Sequence, residues 1–232
     1  MTLSLLIILG AAATLAAQAP APASPIVPTI VTSGEAIVSR VPDVAYLTVA
    51  VEARAKNPRD AQRQNAEAMA GVQKHLADAG IPKEALRTLG LWLDQEYDIT
   101  SGRRVPRGFI ARNTLEVRLD DVARAGELAD SVVQGGATSL NGIRFDLKDR
   151  AAAEREALRL AVADARRRAE AAAAGAGQMV DRILKIEDSR SEIVVGRPML
   201  MRADAAVGTP QTSVEPGLIE IRGHVTLTVS MR

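Results

Sequence analysis

The stretch LIEIRGHVTLTVSMR, residues 218–232, decides the fold class. Ile219, Ile221, Val225, Leu227, Val229 and Met231 alternate with Glu220, Arg222, His224, Thr226, Thr228 and Ser230. A period of two gives a strand one dry face and one wet face. Strands of this kind belong to antiparallel sheets covered on a single side. The alternation recurs upstream: Leu47, Val49 and Val51 oppose Tyr46, Thr48 and Glu52, while Leu115, Val117 and Leu119 oppose Thr114, Glu116 and Arg118.

Working outward, strands are predicted over residues 29–39, 44–54, 86–99, 105–120, 138–147 and 180–187. Three helices separate them. Asn57-Pro58 supplies an N-cap and a first-turn proline for a helix that runs to Ala79 and stops at Gly80 and Pro82. Ala61, Ala68, Met69, Val72, Leu76 and Ala79 form its apolar stripe. A second helix starts at Asp120 or Asp121 and ends at Gly135-Gly136. The longest covers residues 149–174, with a mostly alanine stripe of Leu158, Ala161, Val162, Ala165, Ala169 and Ala172. The expected class is α+β: an antiparallel or mixed β-sheet with about three helices packed on one face and a long C-terminal strand.

The chain outside these elements also has a reading. Residues 1–23 hold a short apolar run, Leu3 to Leu9, then an alanine-rich stretch, with no charge before Glu35. This is the pattern of a signal peptide, and the run is too short for a comfortable membrane span. Residues 24–29 read as an Ala/Pro linker, and residues 30–232 as the folded domain. Residues 191–216 lack a sustained period and carry several prolines and glycines, which predicts a mobile segment.

Composition narrows the function. Lys+Arg number 29 against 28 Asp+Glu, and aromatics make up 2%. Such a chain has neither the basic field nor the stacking platforms of a nucleic-acid binder. Cysteine is absent, which excludes disulfides, thiol catalysis and Cys-ligated metals.

Several segments, in order, resemble the SIMPL-domain family of bacterial exported proteins. They are Ser33-Gly34-Glu35, Pro42-Asp43-Val44-Ala45, the helix end Leu76 to Gly80-Ile81, Arg87-Thr88, and the strand from Gly108-Phe109 to Leu119. After them come Gly136-Ala137, Gly142-Ile143-Arg144-Phe145, the helix with Ala157, Ala161, Asp164-Ala165 and Ala169, and Pro216-Gly217. The resemblance spans roughly residues 30–232. Phe109 stands where the family more often has tyrosine, which removes a hydroxyl. The resemblance implies an α+β fold, a periplasmic location with association to the outer membrane, oligomerisation, and a role in envelope integrity or oxidative-stress tolerance. It supplies no catalytic residues.

The residues themselves point the same way. The two histidines, His75 and His224, fall on separate elements with no carboxylate partner implied, so no metal site is assigned. There is no Gly-x-Ser-x-Gly elbow, and Gly175 and Gly177 follow a helix instead of opening one, so they cap and do not cradle phosphate. No catalytic, cofactor-binding or metal residue is expected. Candidate partner contacts are the basic hairpin Arg103, Arg104 and Arg107 and the apolar triplet Met199, Leu200 and Met201. The latter is chosen because methionine adapts to irregular surfaces. The expected function is a non-catalytic, self-associating extracytoplasmic protein with an envelope partner and no membrane span in its mature form. The alternatives are a periplasmic binding protein for a small stress- or envelope-related ligand and, third, an uncharacterised hydrolase.

Overall fold

The computed structural model describes residues 27–100, 102–188, 212 and 214–232. The expectations for residues 1–23 and for most of residues 191–216 lie outside them.

The strands divide between two sheets. β1 (Thr29–Arg40), β7 (Ile219–Met231) and β6 (Val180–Asp188) form a three-stranded sheet in the order β1-β7-β6. β3 (Leu86–Thr100), β4 (Arg103–Leu119), β2 (Val44–Ala55) and β5 (Ser139–Asp146) form a four-stranded sheet in the order β3-β4-β2-β5. Every pairing is antiparallel. The class is α+β, as the alternation implies. The wet faces read in the sequence therefore separate: Glu220 and Arg222 lie on one sheet, while Thr48, Glu52, Thr114, Glu116 and Arg118 lie on the other.

Helix α1 (Pro58–Asp78) begins at Asn57, whose side chain accepts from the Asp60 amide. It buries Ala61, Met69, Val72 and Leu76 on the dry face of the four-stranded sheet. Helix α2 (Ala125–Gln134) closes that core with Leu128, Ala129 and Val132. The polar side chain of Asn65 is sealed inside as well. Asn65 donates through Nδ2 to the carbonyls of Val51 (2.7 Å) and Ala111 (3.0 Å), joining helix to strands β2 and β4.

Helix α3 (Arg150–Gly175) lies on β1 and β7. Its buried residues are Ala153, Ala157, Ala161, Ala165, Ala169 and Ala173. This strict four-residue ladder corrects the sequence stripe at its end, where Ala172 is exposed and Ala173 buried. A row of positions four apart runs obliquely along a helix, so the seam drifts away from the axis line that a simple wheel projects. The sheet accommodates it with glycines. A Cβ at Gly34 would lie 2.2 Å from the Ala161 carbonyl oxygen, and one at Gly223 would lie 2.5 Å from that of Ala157.

The β2–β5 lobe is inserted between β1 and α3, so the chain crosses between lobes twice. Asp43 ties the two crossings together. Its amide donates to the Asp146 carbonyl (3.2 Å), and its Oδ1 accepts from the Lys148 amide (2.7 Å). A third tie comes from Thr212, whose hydroxyl donates to Asp130 of α2 at 2.6 Å.

Candidate functional site

The dry face of β6 is the first feature that the fold leaves unfinished. Ile183 pairs with Val229 and Ile186 with Leu227, so both isoleucines stand on the side of the sheet that α3 covers. Val225, Leu227 and Val229 are fully buried there by the alanine ladder. A single helix does not cover three strands. Ile183 remains 43% exposed and Ile186 51% exposed. Between α3 and β6 runs a groove of about 450 Å³, with Val229 and Ile183 in its floor and Arg166, Glu170, Asp181 and Arg182 on its rim. The outer edge of β6 has no strand partner among the described residues.

The β3–β4 hairpin carries the basic residues read in the sequence. Thr100 pairs with Arg103, so the two strands continue past their predicted ends at 99 and 105. Arg104 lies over the Tyr97 ring, 4.3 Å from its centroid, and Arg107 pairs with Asp98 at 3.4 Å. Two of the three arginines thus engage the hairpin itself. Beyond the reach of α1, Leu91 and Leu93 of β3 are also exposed. Met199, Leu200 and Met201 lie outside the described residues.

The wet face of the four-stranded sheet holds a third feature. Register puts Trp92, Arg112 and Glu52 in one row across β3, β4 and β2. The next row is Gly90, Thr114, Ala50 and Ser139. Arg112 pairs with Glu52 at 2.7 Å, and Arg54 bridges Glu52 (3.4 Å) and Glu96 (2.9 Å). Trp92 was not singled out by periodicity, because one aromatic on a polar face breaks no pattern. A signal was present in the glycine two residues earlier, since glycine inside a strand marks close approach.

The histidines stay apart in role. His75 Nδ1 is 3.1 Å from the Gly71 carbonyl within α1, while His224 sits on β7. Among the described residues no group of three His, Asp or Glu side chains is placed to hold a metal, and no helix is long and apolar enough to cross a membrane.

The chain is similar in sequence to known proteins. The chain is 27% identical over 206 residues to the uncharacterized protein YggE of Escherichia coli strain K12, covering 88% of this chain and 83% of that one. It is 29% identical over 164 residues to the 26 kDa periplasmic immunogenic protein of Brucella melitensis, covering 68% and 66%. The uncharacterized protein YggE of Edwardsiella ictaluri matches at 28% over 151 residues, 65% of this chain and 63% of that one. The model of the SIMPL family, described as a protein of unknown function (DUF541), matches residues 30–229. With both lobes inside that match, the chain belongs to the SIMPL family.

Proposed function

We propose that this protein is a non-catalytic periplasmic module that assembles with copies of itself through the outer edge of β6, which has no strand partner among the described residues. The observation that carries this is the self-complementarity of that strand. A two-fold antiparallel pairing centred between Leu184 and Lys185 sets Ile183 opposite Ile186 and Arg182 opposite Glu187. Apolar meets apolar and opposite charges meet, as a two-fold interface requires. The pairing joins two three-stranded sheets into one and brings four half-exposed isoleucines together between two α3 helices. Two register shifts and Lys185 blunt the edge against indiscriminate pairing, which leaves a specific partner as its use. The periplasmic relative from Brucella supports the location, as does the leader-like pattern of residues 1–23. Within the envelope such an assembly serves integrity or oxidative-stress tolerance, the role that the family resemblance implies. A deletion strain is then expected to grow poorly under peroxide.

Light scattering of the mature protein tests the assembly. Arg182→Glu places two pairs of like charges across the two-fold and is expected to lower the mass to that of a monomer. Adding Glu187→Arg restores opposite charges and is expected to restore the mass. A wild-type protein that is monomeric at micromolar concentration overturns the proposal.

A further inference from the structure

The wet face of the four-stranded sheet contains a stacking platform that stays half-exposed among the described residues. Trp92 is the protein's single tryptophan. A Cβ added at Gly90 would lie 2.1 Å from Cη2 of its indole, 2.4 Å from Cζ2 and 2.7 Å from Cζ3. The two atoms bonded to Cη2 are nearly as close as Cη2 itself, as holds for a point above the ring and not for one beyond its edge. The indole therefore lies flat on the Gly90 backbone. One face is held by the strand, and the residue is still 49% exposed. Only glycine at position 90 permits this posture.

The platform belongs to a shallow groove of about 400 Å³ whose lining includes Trp92, Asp94, Arg112, Glu52, Thr114 and Asn141. Donors and acceptors are mixed. Arg112 and the Asn141 amide donate, Asp94 and Glu52 accept, and the Thr114 hydroxyl does both. Asp94 makes no ion pair among the described residues, whereas Arg112 is held by Glu52 at 2.7 Å. Beneath the groove, in the row of Thr114 and Ala50, the buried Ser139 hydroxyl has no hydrogen-bond partner.

These features select a ligand chemistry. Arg112 is already held by Glu52, and Asp94 adds a carboxylate without an ion pair among the described residues, so an anion is disfavoured. The groove, which also holds Ile110, is too shallow and open for a lipid chain, which seeks enclosure. What remains is a neutral molecule with an apolar face to lay on an indole and hydroxyls around its rim that both donate and accept. We propose that this groove binds a neutral pyranose glycan, with Trp92 under the sugar ring and Asp94, Arg112 and Asn141 on its hydroxyls. This site is independent of the β6 edge, which lies in the other sheet.

The single tryptophan makes its own probe. The mature protein is titrated with N-acetylglucosamine tetrasaccharide and with maltotetraose while Trp92 emission is followed. The expected result is a saturable emission change with at least one of them. Asp94→Ala is expected to weaken it at least about tenfold with unchanged circular dichroism, and Trp92→Leu to abolish the heat of binding in calorimetry. Saturation with choline or adenosine but neither glycan overturns the assignment, as does no saturable change at millimolar glycan. An emission that shifts on dilution without glycan overturns it too, because a second copy then covers the face.

Discussion

At the scale of single residues, Asp164 does work that its neighbours in sequence do not announce. Its pairing with Arg168 (2.9 Å) follows from their spacing along a helix. A further partner, the Glu35 amide of β1, lies far away in sequence and donates to Oδ2 at 3.3 Å. That backbone hydrogen bond is the main reason its carboxyl titrates below the usual 3.8; burial opposes the shift, and Arg168 and Arg167 add to it. Folding thus favours the ionised form. The sign follows: the contribution is full above the unfolded value and is lost as pH falls through the lower folded value. Asp164→Asn is expected to flatten the acid side of a melting-temperature profile between about pH 5 and pH 2. A variant profile that falls as steeply as the wild type counts against this.

Asn65 is a second case at this scale. It spans two strand carbonyls from inside the core, and removing a buried partner leaves acceptors without donors. Asn65→Ala is expected to cost about 1–3 kcal/mol in urea unfolding. A loss of a few tenths would mean that water replaces the amide.

Among elements, the contact of α3 with β1 and β7 is the most sharply defined. Alanines at four-residue spacing and two strand glycines bring helix and sheet to backbone distance. Gly223→Ala pushes a methyl into the Ala157 carbonyl, where neither backbone yields cheaply. The expected loss is about 1–3 kcal/mol, read from the denaturation midpoint, and Gly34→Ala is expected to behave alike. The alanine ladder was legible as a stripe of small residues, but its last rung was not: Ala172 and Ala173 are equally apolar, and only the oblique run of the seam chooses between them.

At the level of the whole molecule, two lobes hang on a double crossing tied by Asp43. Loss of its bond to the Lys148 amide in Asp43→Ala is expected to cost about 1 kcal/mol. Hydrogen exchange at Lys148 is expected to quicken while amides in the centre of β2 stay protected. Unchanged exchange at Lys148 would show that the tie does not hold the junction. The unfinished faces are also a property at this scale. Neither Ile183 nor Leu91 looks different from a core residue in its own strand, and each is exposed because the helix over its sheet stops short.

The sequence by itself determined the period of each strand, the caps of α1, the class of the fold and the family, because alternation, proline and glycine act over a few residues. It also contained the Arg182 to Glu187 palindrome and the glycine before Trp92. Which strands are neighbours was decided only by the tertiary structure. Alternation says that a strand has a dry face and is silent about whose dry face it meets, so one expected sheet became two. The same physics hid the site: an exposed Ile186 and a flat Trp92 are defined by which neighbours the fold places beside them.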